Sequence, residues 1–190
     1  MIHCWMARSF PASFDWQSQS PKGRAVKTVN GYRFTGGYYA WKGLRYVPSW
    51  GGSLFEALMP LLVLDELHHA PASLGRNAAV HTEIQRRFAL EHLGYPVWGL
   101  SPSSTSAGNS YSEYGVRILG ARGYRAGVVT PHAAALALMT EPATAVSNLR
   151  QLAQRYPLYG DFGFYDAVAV SYTHLRAHET DSYLVCRLLL

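Results

Sequence analysis

Three of the ten carboxylates that precede Val170 stand apart by their neighbours. Glu56 closes the run Trp50-Gly51-Gly52-Ser53-Leu54-Phe55-Glu56, Glu113 sits in Tyr111-Ser112-Glu113-Tyr114-Gly115, and Asp166 ends Gly163-Phe164-Tyr165-Asp166. Aromatic rings beside a carboxyl can stack on the apolar face of a sugar, and the desolvation they impose lifts the carboxyl towards the range of a general acid. A carboxylate buried to satisfy loop amides produces the same local composition, so composition leaves both readings open for each residue. The other carboxylates are of a blander kind. Glu83, Glu91 and Glu141 lie on or beside helical patterns, and Asp65-Glu66 next to His68-His69 ends one, positions where solvation is the usual fate.

Other chemistries find less support. His68, His69, His81 and His92 fall in one region, but no HExxH pattern or other strong ligand spacing joins them, so no metal site and no cofactor are expected. No GxSxG elbow occurs, and the glycines from Gly31 to Gly37 are followed by no Gly-Lys-Ser/Thr, which argues against an activated serine and against phosphoryl transfer. Cys4 and Cys186 stand at opposite ends and build neither a disulfide framework nor a CxxC knuckle.

The elements that must position the three carboxylates read as helices joined by long loops. Residues up to Trp50 are rich in Pro, Gly, Ser and aromatics without a helical period; short extended segments are expected, with Asn30-Gly31 and Gly36-Gly37 as turns. From Ser53 the pattern becomes helical: Ser53 and Glu56 form a capping box, Leu54, Leu58, Leu61 and Leu62 recur at helical spacing, and Pro60 is expected to kink the helix or mark a first turn. A second helix is expected from Asn77 to Leu93, with Val80, Ile84 and Phe88 on its apolar stripe, His81 largely off it, and Gly94 and Pro96 as stops. Trp98 to Gly127 reads as a long loop, dense in Ser, Gly and Tyr. Thr130-Pro131 and Glu141-Pro142 each place a proline at the first position of a further helix. Paired helices with aromatic loops predict an all-α architecture whose site is built by the loops.

Composition bounds the class. The 190 residues carry 17 Lys and Arg against 12 Asp and Glu, with 48% hydrophobic and 13% aromatic residues, which excludes a disordered chain and suits one domain. The longest apolar run, Ala57 to Leu64, falls far short of the roughly 20 residues a membrane span needs, and the first residues show no basic-then-apolar export signal. Seven basic residues lie between Arg8 and Arg45 among aromatics. Such a stretch can track phosphates, but no reader motif accompanies it, so nucleic acid is not the expected partner.

Read together and in order, Pro48 to Pro60, Trp98-Gly99-Leu100-Ser101-Pro102, Tyr111 to Val116, Val128-Val129-Thr130-Pro131-His132-Ala133 and Gly163 to Val168 resemble the bacterial glycoamylase-like (glucoamylase-like) domain family. The likeness covers about residues 20 to 170; Asn30-Gly31-Tyr32 and Gly37 to Gly43 are similar to the family's preceding segment. It implies a partial (α/α)6 toroid related to endo-β-1,2-glucanases and to a domain of cyclic β-1,2-glucan synthases, with glycoside hydrolysis or glucan processing as the activity and an oligo- or polysaccharide as the partner. It also implies a parent protein that is periplasmic or secreted.

On that reading Glu113 is the first candidate for acid/base catalysis, followed by Glu56 and Asp166. Trp50, Trp98, Tyr111, Tyr114 and Tyr165 would line sugar subsites, and His132 would hydrogen-bond a hydroxyl. The expected organisation is a loop-rich segment over residues 1–47, the C-terminal part of the domain over 48–170, and a tail over 171–190 that departs from the family. The tail resembles translated sequencing-adapter read-through, which would set aside His174, His178 and Cys186. Helices are expected ahead of Met1, so the fragment alone is expected to be inactive and to self-associate through faces left uncovered. Glycan binding without hydrolysis is the alternative from a different class.

Overall fold

A computed structural model of the chain describes residues 23–104 and 110–170. The expected non-native tail, with His174, His178 and Cys186, lies outside the described residues, as does Cys4. The chain divides into two compact units, Met1–Tyr39 and Ala40–Leu190.

In the first unit, strand β1 (Gly23–Val29) pairs antiparallel with β2 (Tyr32–Trp41), whose last two residues belong to the second unit. The register runs from Gly23 opposite Tyr38 to Val29 opposite Tyr32. Asn30 and Gly31, at φ 50° and 79°, close the hairpin. Two successive positive φ values match the twist of paired strands, and Asn-Gly tolerates them better than other dipeptides. The second turn expected in this stretch is absent: Gly36 and Gly37 lie inside β2, opposite Ala25 and Arg24.

The second unit opens with the end of β2, then β3 (Leu44–Tyr46). Helix α1 (Leu54–Leu58) starts where the capping residue predicts: Ser53 Oγ accepts the Glu56 N–H at 3.1 Å. Pro60 ends the α-helical geometry, because a proline nitrogen cannot continue the ladder, and Met59–Leu62 tightens into a 3-10 turn. Helix α2 (Glu66–His69) is a single turn capped by Asp65, and α3 (Leu74–Arg87) passes into a π-turn over Phe88–His92. Helices α4 (Pro131–Leu136) and α5 (Pro142–Arg155) each begin at their proline.

The all-α architecture, and with it the partial (α/α)6 toroid, is corrected by this structure. Nine strands in four small sheets accompany the helices among the described residues. Beyond β1 to β3 these are two-residue pairs: β4 (Ser103–Ser104) with β5 (Tyr111–Ser112), β6 (Val128–Val129) with β9 (Val168–Ala169), and β7 (Tyr159–Gly160) with β8 (Gly163–Phe164). A pair this short carries no alternating pattern, so its sequence reads as loop.

The core of the second unit is apolar, with Leu54, Leu58, Ile84, Leu100, Leu119, Val129, Leu152 and Val170 all fully buried. Truncating any of these leucines to alanine should cost about 2–5 kcal/mol. Inside this core, polar side chains of the long helices clamp the loops. Asn77 of α3 bonds both backbone groups of Val47, at 2.9 and 3.2 Å, and Asn148 of α5 does the same to Trp98, at 3.0 and 2.8 Å. His81, expected largely off the apolar stripe, is buried, and its Nε2 bonds the Val47 carbonyl at 2.8 Å. A buried amide that satisfies two backbone groups at once substitutes for a missing strand partner.

Candidate active site

The first wall of the site is the turn Trp50-Gly51-Gly52 that leads into α1. It lies against the backbone of residues 115–124, tied to it by Ser49 N to Leu119 O (2.9 Å), Val116 N to Gly52 O (2.9 Å), Arg122 N to Trp50 O (2.8 Å) and Tyr124 N to Gly51 O (2.8 Å). Glycine is required for this approach. A Cβ on Gly52, which also has φ +79°, would lie 2.1 Å from the Val116 carbonyl oxygen. Gln85 of α3 locks the arrangement from below: its Nε2 donates to the carbonyls of Gly52 (2.8 Å) and Leu100 (3.1 Å), and its Oε1 accepts the Leu100 N–H (3.0 Å). One buried side chain therefore ties the Gly51-Gly52 turn to the Trp98–Ser101 loop.

On this frame Glu56 is half-buried, and its Oε2 accepts the Gly51 N–H at 2.8 Å. The expected capping box is thus shifted, with Glu56 reaching past its own cap to the turn. Glu113 is exposed just after β5, and its Oε1 accepts the Tyr124 hydroxyl at 3.2 Å. The Tyr124 phenol is pushed well above the ordinary tyrosine range, first by burial, then by the charge of Glu56 and by the hydrogen bond and charge of Glu113, with a weaker hydrogen bond to Glu56 adding to it. Tyr124 thus brings two predicted carboxylates together, and motif reading did not find it.

Asp166 is half-buried and its Oδ2 accepts the Ser104 N–H of β4 at 2.9 Å. It belongs to the same cluster. The Tyr111 phenol is raised by partial desolvation, although most of the residue is exposed, and then by the charges of Asp166 and Glu113. His132 of α4 is lowered by burial, partly offset by Asp166; its Nε2 meets Ser101 Oγ at 3.1 Å and its ring meets Phe55 edge-on at 6.2 Å. Glu56 and Glu113 thus meet at Tyr124, Glu113 and Asp166 at Tyr111, and Asp166 at His132, the three carboxylates and His132 coming from four separate stretches of chain.

The predicted stacking residues divide. Tyr111, 71% exposed, and Trp50, 38% exposed, present rings to solvent, and the Arg122 guanidinium lies over the Trp50 ring at 5.1 Å. Trp98 and Tyr114, at 3% and 7%, are core side chains and offer a ligand little ring face. Tyr165 leans on Gly160 of β7, where a Cβ would lie 2.6 Å from its hydroxyl oxygen. It packs on the β7–β8 hairpin.

Carboxylates from separate segments thus lie near exposed aromatic rings, and the comparisons with known proteins give the family. Residues 24–185 match the Glycoamylase family model, described as "Putative glucoamylase", and the chain belongs to that family. It is 35% identical over 147 residues to the cyclic β-(1,2)-glucan synthase NdvB of Rhizobium meliloti (strain 1021), an alignment that covers 73% of this chain and 5% of that protein. Among solved structures it is similar to a "putative glucoamylase" from Bacteroides fragilis NCTC 9343, with 25% identity, TM-score 0.52, and 77% of this chain and 34% of that one covered. An endo-β-1,2-glucanase from Chitinophaga pinensis shares the fold at 21% identity and TM-score 0.52, with 81% and 36% covered. The chain thus spans about a twentieth of the synthase and a third of the solved proteins. It carries a glucoamylase-like domain sequence related to glucan-acting enzymes.

Proposed function

We propose that this chain forms part of a glycoside hydrolase site that acts on glucans, with β-1,2-linked chains as the first substrates to try. The observation that carries the reading is that Glu113, bonded to Tyr124, lies with Asp166 beside Tyr111, while Glu56 acts on the same Tyr124 from the Gly51 turn. The names of the related synthase and glucanase support the linkage. In this reading Glu113, exposed and able to meet a substrate, is the acid/base group. Its carboxyl would donate a proton to the leaving glycosidic oxygen while a second carboxylate, Glu56 or Asp166, activates water or attacks the anomeric carbon. Trp50 and Tyr111 would stack on sugar rings and His132 would bond a hydroxyl.

The test is reducing-end release from β-1,2-glucan, measured on this chain and on a polypeptide extended to the length of the solved relatives. Hydrolysis by the extended protein, cut about a hundredfold or more by Glu113→Gln with an unchanged thermal transition, is the expected result. Normal turnover by that variant removes Glu113 from the mechanism. A second reading, glycan binding without hydrolysis, draws on the one-third coverage of the solved relatives; retention on a glucan affinity gel with no sugar released is its signature.

A further inference from the structure

Helix α5 buries Ala145, Asn148 and Leu152. A second row along it, Val146, Leu149, Arg150 and Ala153, recurs at helical spacing and meets Tyr159 and Phe164 of the β7–β8 hairpin to form an open groove of about 270 Å³. The two rings of the hairpin stand edge to face, with centroids 5.0 Å apart. Asp161 and Phe162 link the two strands as a two-residue turn, and both are exposed. Phe162 is 92% exposed, so the groove beside it in the same copy does not hold its ring. Asp161 at the tip and Arg150 in the groove wall form no ion pair among the described residues.

One copy therefore carries both sides of a contact: a ring with an acid next to it on the tip, and an apolar groove with a base in its wall. An apolar cavity of roughly 150 Å³ holds a benzene molecule, so the groove has room for the Phe162 ring and its approach. We propose that two copies of this chain pair about a two-fold axis, each β7–β8 tip placing Phe162 in the groove of the other and Asp161 against the other's Arg150. A two-fold contact needs a self-complementary surface, in which each copy returns the contact it receives. Tip and groove belong to one hairpin, so a single axis beside it serves both contacts and association closes at two. The pair is weak. Two rings burying roughly 150–250 Å² each, with the groove walls they cover, fall short of the roughly 1,200 Å² of a stable complex. A dissociation constant on the order of 10–500 micromolar follows. The pairing is independent of the hydrolase reading, and it gives the self-association expected from the sequence a defined surface.

The experiment is sedimentation equilibrium of the full 190-residue chain, over concentrations from about 5 micromolar to about 1 mM so that the expected constant is bracketed. A reversible monomer–dimer equilibrium is expected. Phe162→Ser should weaken it about tenfold or more, and so should Ala153→Phe, which fills the groove from its own wall and leaves the tip intact. Both positions are exposed, and an unchanged thermal transition checks that the fold is kept. Asp161→Arg and Arg150→Asp should each weaken pairing about threefold or more, and the double variant, which restores opposite charges between copies, should return to within about threefold of wild type. A monomer at every concentration overturns the proposal, and is the outcome if other residues of the chain or a different polypeptide fill the groove. Assembly beyond the dimer, or a dimer that survives Phe162→Ser and Ala153→Phe, also overturns it. A double variant no better than the single ones contradicts the facing of Asp161 and Arg150.

Discussion

Glu56 and Glu113 flank the same phenol but are held in opposite ways. Glu56 sits on a capped helix, half-buried, beside a turn that is laced to residues 115–124 and clamped from below by Gln85. Glu113 follows a two-residue strand, is exposed, and has the Tyr124 hydroxyl as its bond. One wall is rigid because buried groups must stay paired. The other can adjust at small cost. A site that must fix one carboxylate while another meets a substrate is served by this asymmetry, and each prediction below either breaks it or sharpens it.

The largest effect should come from the rigid wall. Gln85→Ala removes three buried hydrogen bonds and takes from the Leu100 N–H its partner, while the Gly52 and Leu100 carbonyls keep the N–H groups of Val116 and Leu54; a loss of about 3 kcal/mol is expected in chemical denaturation. Asn148→Ala removes two such bonds at Trp98, and about 2 kcal/mol should follow. A shift under 1 kcal/mol for Gln85→Ala would show that the wall is held by other contacts. Next, Gly51→Ala should displace the Tyr124 ring, and the check is loss of the raised Tyr124 titration in an otherwise folded chain. On the adjustable wall, Glu113→Gln should leave the denaturation midpoint within about 0.5 kcal/mol of wild type, as exposed positions usually do.

A smaller effect is set by pH. Burial lowers His132, so the folded chain favours its neutral form. Its folded value lies below the unfolded one of about 6.5, so the unfolded state takes up the proton first. Stability should fall as pH drops through that unfolded value, and the loss should level off below the folded one. His132→Gln should flatten this part of the stability–pH curve; an unchanged slope would assign it to other groups. The smallest structural effect is expected of Trp50→Ala, which removes an exposed ring and its Arg122 contact and should weaken glucan retention with little change in stability.

What was legible in the sequence is what local chemistry decides. The Asn30-Gly31 hairpin turn, the Ser53 cap, the break at Pro60 and the prolines that open α4 and α5 each depend on a few adjacent residues. The carboxylates were legible as candidates because their aromatic neighbours adjoin them in sequence. Tyr124, Gln85 and Asn148 were not, since each acts on backbone or side chains distant along the chain and carries no motif. Trp98 and Tyr114 are buried, and the sequence could not foretell it: an aromatic beside a site motif is also a good core residue, and only burial separates the two. Extended segments were expected where β1 to β3 lie, but β4 to β9 were missed because two-residue pairs have no period.

Reducing-end release from β-1,2-glucan by the polypeptide extended to the length of the solved relatives, with wild type and Glu113→Gln compared at equal thermal stability, tests the carboxylate site most directly. The account predicts steady release by the wild type and a loss of about a hundredfold or more in the variant. Equal release from both would contradict it.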